Sequence, residues 1–360
     1  MSRFFVHPNI AEAETISTAV YLDDAIYKEC REKIFASSWQ LVGDTDMLAS
    51  PGAVYPFTFS EGCLDEPMLL SRDKKDQLHC LSNVCTHRAN ILVDKPCTLA
   101  HLQCKYHGRR FKHDGEFVFM PEFEGVKGFP SQRDHLISFP LHQWGKWLFT
   151  SLAKESTADT FFGEMTKRLS WLPVQDFQYR ADLSRDYYVE ANWALYVENY
   201  LEGFHIPFVH AGLNAVIDYG NYTTELFSRS NLQLGLAREG ELSFDLPVSS
   251  PDYGKKVGAY YFWIFPNMMF NFYPWGLSIN IVRPVGVANT IVSFLTYVWD
   301  EAKLEQGAGS DLFTVEMEDE AIVQAVQRGV RSRSYAHGRY SVNREQGTHH
   351  FHRLLAEYLG

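Results

Sequence analysis

The chain has 360 residues, enough for two domains of ordinary size, and 46% of them are hydrophobic, so sizeable cores can form. The formal net charge is −11, and nothing in the sequence resembles the basic stripe by which nucleic-acid-binding proteins attract phosphates. We therefore exclude nucleic acid as a partner. The same acidic balance argues against tight electrostatic binding to an anionic membrane surface.

Several features point to a cytoplasmic protein without membrane association. No stretch reaches the roughly 18 consecutive apolar residues of a membrane-spanning helix. The start, MSRFFVHPNIAEAET, has neither the apolar run nor the cleavage site of a signal peptide. Six cysteines in 360 residues are far fewer than a disulfide scaffold contains.

The first predicted element is a helix at residues 22–36, where apolar side chains recur at helical spacing after two acidic residues. We expect residues 1–40 to form an N-terminal helical arm. Residues 41–155 contain short alternating apolar runs, such as PGAVYPFTF and KWLFTSL, separated by Pro, Gly and Asp. This pattern is typical of a small antiparallel β domain.

The remaining residues, 156–360, mix predicted strands with predicted helices at 191–204, 311–329 and 345–359. The strand-like runs include AYYFWIF, LSINIVRPV and TIVSFLTYVW. The mixture predicts an α+β domain in which helices lie on one side of a sheet. We expect the histidines of the segment THHFH at 348–352 to face solvent at the start of the last helix.

Four potential metal ligands lie in two short motifs of the β domain: Cys85 and His87, then Cys104 and His107. These residue types could hold a structural zinc ion. They could also hold a Rieske [2Fe–2S] cluster, in which two thiolates bind one iron and two imidazoles bind the other. The cluster needs one Cys and one His from each of two loops, whereas zinc motifs usually pair Cys with Cys and His with His. The order Cys-His, Cys-His therefore favours the cluster.

The positions of the other cysteines predict the range of the cluster's reduction potential. Neither loop contains an extra cysteine that could form a disulfide beside the cluster, so we expect a potential at the lower end of the Rieske range. The remaining cysteines are expected to be small buried hydrophobic residues. They are Cys30, Cys63, Cys80 and Cys97.

A second metal site is indicated by His205 and His210 in the segment NYLEGFHIPFVH. Positions i and i+5 of an ideal helix lie about 140° apart, so both imidazoles can meet one metal only if the helix is distorted. Pro207 lies between them and can cause that distortion. Two histidines need a carboxylate to complete the facial triad of non-haem Fe(II) oxygenases.

The predicted helix at 311–329 could supply this carboxylate, because its first half contains Glu316, Glu318, Asp319 and Glu320. Acidic residues near a helix start usually form a solvated face that is favourable to the helix dipole. We assign Glu318 and Glu320 to such a face. The apolar residues of this helix are expected to bury its other side: Phe313, Val315, Ile322, Val323 and Val326.

The motifs together resemble the α subunit of Rieske non-haem iron oxygenases, in the ring-hydroxylating oxygenase superfamily. The resemblance covers essentially the whole chain and rests on CTHR…CKYHGRRF, NWALYVENYLEGFHIPFVH, YYFWIFPNMMFNFYPWGLSINIVRP and EDEAIVQAVQRGVRS. The chain is most similar to the branch that contains choline monooxygenase and the N-demethylases of glycine betaine and related compounds. The resemblance implies an N-terminal Rieske domain and a C-terminal helix-grip catalytic domain.

The resemblance also implies roles for individual residues. Asp319 lies eight residues before Gln327, where the family has its iron carboxylate, so His205, His210 and Asp319 are the implied ligands of a mononuclear Fe(II). Many ring dioxygenases have an Asp three residues before the first histidine, which relays electrons between subunits. This chain has Glu202 there, and Glu198 is a weaker candidate.

The implied reaction is the O2-dependent hydroxylation of a C–H bond in a homotrimer. Electrons would come from NAD(P)H through a separate flavin or ferredoxin-type reductase. They would pass from the cluster to the mononuclear iron of the adjacent subunit. For an N-methyl substrate, hydroxylation would be followed by loss of formaldehyde.

The aromatic residues and the resemblance together indicate the class of substrate. Aromatic side chains can enclose a quaternary ammonium group or stack on an aromatic ring. The resemblance favours a small methylated amine, with an aromatic acid as the alternative, and Arg283 could bind a substrate carboxylate. A Rieske electron carrier and a lipid-binding helix-grip protein are the non-enzyme alternatives. The clustered aromatic residues are Tyr260, Tyr261, Phe262, Trp263, Phe265, Phe270, Phe272, Tyr273 and Trp275.

Overall fold

The computed structural model describes residues 3–153, 157–304 and 306–360. Residues 35–156 form one compact unit, and residues 1–34 join residues 157–360 in the other. The predicted boundary between 155 and 156 falls outside the described residues, and the limits 1–40, 41–155 and 156–360 stay a prediction. No helix within the described ranges is both long and apolar enough to cross a bilayer.

The smaller unit consists of three antiparallel sheets joined by tight turns. The largest has five strands, in the spatial order Cys97–Thr98, Ala53–Phe59, Glu66–Arg72, Leu78–Ser82 and Ser138–Phe139. A second has the order Gln40–Asp44, Trp147–Thr150 and Leu141–Trp144. The third has the order Leu102–Gln103, Arg110–Phe111 and Phe117–Phe119. The prediction of an antiparallel β domain is confirmed.

One core of this unit holds both cysteines of the predicted cluster. Cys85 and Cys104 are buried among Val54, Leu69 and Phe111, which come from different strands. Cys85 follows the strand Leu78–Ser82, and Cys104 lies in the turn between two strands of the third sheet. The strands therefore bring two loops that are distant in sequence to one place.

The larger unit is built on an antiparallel sheet. Its spatial order is Gln178–Tyr179, Asn289–Val298, Gly276–Gly286, Met268–Tyr273, Val257–Ile264, Ser230–Leu236 and Thr223–Leu226. The strand Arg185–Val189 also pairs with Asn289–Val298. The central strands are buried along most of their length, which explains their continuous aromatic and β-branched sequences.

The helices of this unit are longest near the C-terminus. They are Ala19–Leu22, Asp24–Cys30, Ala158–Arg168, Trp193–Tyr200, Ile206–Val209, Ala211–Val216, Leu312–Gly329 and Gln346–Leu359. The predicted combination of an antiparallel sheet with helices is confirmed. The single helix predicted at 191–204 is wrong in its extent, because it ends at Tyr200 and a turn precedes the next short helix.

The buried side of the helix Leu312–Gly329 was predicted correctly only for Val323, which is buried. Phe313, Ile322 and Val326 are exposed, whereas Glu316 and Gln327 are buried. The reason is the neighbouring helix Trp193–Tyr200, whose residues offer hydrogen-bonding partners to the polar side chains. Each of these hydrogen bonds offsets part of the free-energy cost of burying a polar side chain.

The expectation for the histidines of the last helix is also wrong. His349 and His352 are buried and contact N-terminal residues, and His350 is partly buried beside the ring of Trp263. The Nε2 of His349 lies 2.8 Å from the carbonyl oxygen of His7. The Nδ1 of His352 accepts a hydrogen bond from the backbone N–H of Ile16 at 3.4 Å.

Candidate metal centres and active-site cavity

The two loops that carry Cys85 and Cys104 have the same backbone pattern. The N–H of Cys85 donates to the carbonyl of Asn90 at 2.9 Å, and the N–H of Cys104 donates to the carbonyl of Arg109 at 2.8 Å. In both loops the cysteine carbonyl accepts from the N–H four residues later, at 3.0 Å. The loops are therefore equivalent, each presenting one thiol and one imidazole.

The glycine of the second loop and its counterpart in the first have the same conformation. Gly108 has a φ of 75°, and Ala89 at the equivalent place has a φ of 54°. Glycine adopts this left-handed conformation without strain, whereas alanine adopts it at a cost. The sequence motif GRR therefore marks the tight turn that closes the second loop.

The imidazoles of His87 and His107 face each other, with ring centroids 4.8 Å apart. Their Nδ1 atoms are buried and have no hydrogen-bond partner among the described residues. Burial raises the pKa of the Cys85 thiol, and the neighbouring Cys104 adds to the shift. A positive metal centre would ionise these thiols and use the unpaired ring nitrogens, so the four residues fit a [2Fe–2S] cluster with two thiolates and two imidazoles.

Behind the loops, a buried ion pair holds the surrounding chain together. The Arg109 guanidinium donates to Asp134 Oδ1 at 2.7 Å and lies over the rings of Phe117 and Phe129 at 4.9 and 5.5 Å. The Thr86 hydroxyl, between Cys85 and His87 in the chain, donates to the Asp134 carbonyl at 2.9 Å. Asp134 thus connects both cluster loops through one residue.

In the larger unit, His205, His210 and Asp319 come together as a group suited to a metal ion, with one ligand atom from each within 4.8 Å of the others. We call them the His–His–Asp triad. The Nε2 atoms of the two histidines are 3.1 Å apart. Asp319 Oδ1 lies 3.0 Å from His210 Nε2 and 3.6 Å from His205 Nε2.

The local backbone explains how two histidines five residues apart can meet. His205 immediately precedes the short helix Ile206–Val209, which has a proline in its first turn. His210 lies between this helix and the next, Ala211–Val216, with a non-helical ψ of 79°. The distortion predicted at Pro207 is therefore a break between two short helices.

Each histidine of the triad has its outer nitrogen held by a carboxylate. His205 Nδ1 is 2.7 Å from Glu202 Oε1, and His210 Nδ1 is 2.7 Å from Glu318 Oε2. Such partners fix the tautomer of a metal-binding imidazole and leave Nε2 free for the metal. Burial opposes the charged form of His210, but Asp319 and Glu318 outweigh it and raise the pKa of this imidazole.

The assignment of Glu318 to a purely solvated face is therefore wrong. Its carboxylate is partly exposed, yet it contacts His210 directly. The sequence held a weak signal, because Glu318 precedes Asp319 on the helix that we expected to supply the carboxylate. Glu198, the weaker relay candidate, lies 3.0 Å from His352 rather than beside His205.

A cavity of about 750 Å³, including its open mouth, lies between the sheet and the helices and reaches the triad. Polar residues on the sheet side are Gln233, Asn271 and Asn280. None of the described lining residues is a lysine or an arginine. The aromatic lining residues are Tyr196, Tyr200, Tyr222, Tyr261, Tyr273 and Phe294.

Of the nine clustered aromatic residues in the sequence, only Tyr261 and Tyr273 line this cavity among the described residues. Strand alternation explains the selection, because the neighbours Tyr260, Phe262 and Phe272 point to the opposite face. Sequence reasoning missed Tyr196 and Tyr200. These two tyrosines are four residues apart on one helix, just before the segment that contains the histidines. This spacing places them on the same helix face and could have revealed them.

Arg283, considered for binding a substrate carboxylate, is not among the described lining residues. Its guanidinium lies 3.7 Å from Asp186 and donates to the Ser293 hydroxyl at 3.3 Å. This side chain belongs to the sheet surface between neighbouring strands. Its role in substrate binding therefore has no support from the described cavity.

The comparisons with curated proteins find relatives along nearly the whole chain. Choline monooxygenase, chloroplastic, from Arabidopsis thaliana is 29% identical over 97% of this chain and 84% of that protein. The carnitine monooxygenase oxygenase subunit of Escherichia coli (strain K12) is 27% identical over 97% of this chain and 95% of that protein.

Solved structures share the fold. A crystal structure of the quaternary ammonium Rieske monooxygenase CntA with an inhibitor covers all of both chains, with a TM-score of 0.81 and 23% identity. Naphthalene 1,2-dioxygenase from Rhodococcus sp. covers 96% of this chain and 94% of that chain, with a TM-score of 0.75 and 16% identity. The two-domain architecture predicted from the resemblance is confirmed.

Two family models divide the chain between them. The Rieske [2Fe-2S] domain matches residues 38–130, and the ring hydroxylating alpha subunit (catalytic domain) matches residues 170–360. The first implies a [2Fe–2S] cluster in that domain, and the second implies a mononuclear iron. The chain belongs to the ring-hydroxylating α-subunit family and is a Rieske-type non-haem iron oxygenase that uses O2.

Proposed function

We propose that this oxygenase oxidises a small quaternary or methylated amine, at an N-methyl group or a neighbouring C–H bond. The observation that carries this proposal is the cavity at the triad, which combines tyrosine walls with acidic side chains. Its described lining contains no lysine or arginine. Aromatic faces favour a cationic guest, and the three lining carboxyl groups of Glu202, Glu316 and Asp319 outnumber the two positive charges of a bound Fe(II).

The relatives support the same substrate class. Proteins named choline monooxygenase and carnitine monooxygenase align over almost all of this chain. Structures of CntA were determined with L-carnitine and with gamma-butyrobetaine. All three named compounds carry a trimethylammonium group, so the shared chemistry is a quaternary ammonium cation.

We assign the cofactors to the residues whose atoms fit them. Cys85, His87, Cys104 and His107 would hold the cluster, and the His–His–Asp triad would hold Fe(II). When bound, the cluster supplies electrons singly and the iron supplies O2 activation for insertion of oxygen into a C–H bond. Asn199 donates to Asp319 Oδ1 at 2.6 Å and fixes the orientation of that carboxylate.

Glu202 is proposed as the relay between the cluster of one subunit and the iron of its neighbour. One carboxylate oxygen contacts His205 Nδ1, and the other accepts from the backbone N–H groups of Phe204 and His205. Phe204 and Phe208, beside the relay, are 41% and 80% exposed, which suits a subunit contact. A CntA structure has been described in terms of inter-subunit electron transfer. We propose the same route here, in a homotrimer.

A reductase partner follows from the family, and we propose a separate flavin or ferredoxin-type protein that draws on NAD(P)H. A cytoplasmic location is proposed from the sequence features alone. The alternative substrate, an aromatic acid, would bring a carboxylate into a cavity whose described lining contains three acidic side chains and no lysine or arginine to pair with it. This chemical mismatch places it second.

Oxygen uptake by the reconstituted enzyme tests the proposed substrate class. Choline, glycine betaine, carnitine, gamma-butyrobetaine and a set of aromatic acids would each be added at equal concentration with an electron donor. We expect uptake coupled to product formation only with trimethylammonium compounds. Coupled turnover of an aromatic acid, with none from the quaternary amines, would overturn the proposal.

A further inference from the structure

One acidic side chain of the cavity is left without a role by the metal assignments. The ionisable lining residues other than tyrosine are Glu202, His205, His210, Glu316 and Asp319. Four of them form the triad and its relay. Glu316 is only 1% exposed, and the described lining contains no lysine or arginine to balance it. The two charges of an iron at the triad would already be offset by Asp319 and Glu202.

The hydrogen bonds of Glu316 are incomplete. Its Oε2 accepts from the Tyr196 hydroxyl, whereas its Oε1 is buried and has no partner among the described residues. Burial raises the pKa of Glu316 well above its usual value, and the neighbouring acids Asp319 and Glu320 add to the shift, so this carboxyl group ionises only when a cation lies beside it. A buried carboxylate with one free oxygen is unfavourable unless a cation or donor meets it.

The position of Glu316 places it beside the metal site. It lies three residues before Asp319 on the helix Leu312–Gly329, and side chains at this spacing share a face with Cβ atoms about 5–6 Å apart. Tyr196 comes from the helix Trp193–Tyr200, which also provides Asn199 as the partner of Asp319. The same pair of helices therefore orients both carboxylates.

We infer that Glu316 is the counter-charge for the ammonium group of the substrate, and that it positions the cation and its methyl groups next to the triad. The inference rests on the proposed function and names the residue that selects a cation at that site. Tyr196 holds one oxygen of the carboxylate, which leaves the other to face the cation. The remaining tyrosines supply aromatic faces around the methyl groups.

A purely structural role makes a different prediction. If Glu316 stays protonated and serves only as a hydrogen-bonding partner of Tyr196, glutamine would replace it almost without effect, because an amide has the same shape and no charge. If Glu316 is the counter-charge, the same substitution removes the preference for a cation. Glu316→Gln therefore separates the two roles.

The test is calorimetric binding of choline and of its uncharged carbon isostere, 3,3-dimethylbutan-1-ol, to anaerobic holoenzyme. We expect the wild type to prefer choline by at least about ten-fold, and Glu316→Gln to bind the two within about two-fold of each other. Glu239→Gln, which removes one charge at an exposed site, should retain the wild-type preference. Glu316→Asp keeps the negative charge and should retain most of the preference for choline. This variant therefore separates the effect of lost charge from the effect of disturbed packing.

Cluster absorbance and iron content of each variant would show that it is folded and loaded. An unchanged preference for choline in loaded Glu316→Gln overturns the inference and leaves the proposed function standing. If the wild type binds none of choline, glycine betaine, carnitine and gamma-butyrobetaine, the proposed function fails and the inference fails with it. Equal losses in Glu239→Gln and Glu316→Gln would also count against a specific counter-charge.

Discussion

Replacing Glu318 with alanine should weaken Fe(II) binding while leaving the Rieske cluster intact. His210 is almost completely buried, and its Nδ1 depends on Glu318 Oε2 at 2.7 Å. Without that acceptor, the imidazole N–H is buried and unpaired, which costs about 1–3 kcal/mol. Because 35% of the Glu318 side chain is exposed, water can replace part of the lost interaction. We therefore expect about ten-fold weaker binding, the lower end of the range for partners of metal ligands.

The assay is anaerobic competition for Fe(II) against a chelator of known affinity, with cluster absorbance as the internal control. Glu318→Gln keeps a carbonyl acceptor and should lose less than Glu318→Ala. Glu320→Ala removes an acid from the same helix that has no hydrogen bond to either histidine, and should change the affinity little. Iron affinity of Glu318→Ala within about two-fold of wild type would refute the reasoning. So would an equal loss in Glu320→Ala.

Three further predictions concern the two centres and the chain around them. Asp319→Ala should remove the mononuclear iron and turnover while the cluster spectrum persists. Cys104→Ser should remove the cluster and turnover while the mononuclear iron persists. Metal and sulfide analysis checks both, and loss of both centres in either variant would contradict separate sites. Glu202→Gln should keep both centres but slow electron transfer from the cluster to the mononuclear iron steeply, because an amide cannot accept hydrogen bonds from two imidazoles as a carboxylate does. Rapid-mixing spectroscopy measures this rate. Mixed oligomers of subunits inactivated at His107 and subunits inactivated at His205 should regain partial activity. Burial opposes ionisation of Asp134, but hydrogen bonds from Arg109 and Ser131 outweigh burial and lower the pKa of this carboxyl group. The ionised carboxylate therefore stabilises the fold at pH values above the unfolded pKa of about 3.9. This stabilisation is lost as the pH falls through the folded pKa. Thermal unfolding should then show Asp134→Asn less stable than wild type at pH 7, with the difference narrowing in acid; a constant difference would contradict the ion pair as its source.

The cluster loops could be predicted because their information is local. Two cysteines and two histidines at fixed short spacings define ligand types, and glycine at 108 marks a turn that needs positive φ. The antiparallel sheets likewise follow from alternating apolar runs separated by turn residues. In these parts of the chain, the residues that the local sequence pattern favours are the same residues that the tertiary structure needs.

The helix Leu312–Gly329 shows where local information ends. Its apolar residues were expected to form the buried side, yet only Val323 of the five is fully buried, and Glu316 and Gln327 are buried beside it. Hydrogen bonds from Tyr196 and Asn192 pair one oxygen of each of these two polar side chains. Hydrophobic pattern cannot reveal a polar partner more than a hundred residues away. The contact of Glu318 with His210 and the burial of His352 under the N-terminal segment were missed for the same reason.

The central claim is that one chain with a Rieske cluster and a His–His–Asp iron site oxidises a quaternary ammonium compound with O2. A single-turnover experiment tests it most directly, because chemically reduced enzyme needs no reductase. Reduced protein containing both centres would be mixed with O2 and a trimethylammonium substrate, and oxidised product quantified per intact site. The account predicts close to one product per site, and none from the Asp319→Ala variant. Fully loaded enzyme that consumes O2 without oxidising any trimethylammonium compound, but oxidises an aromatic acid, would contradict it.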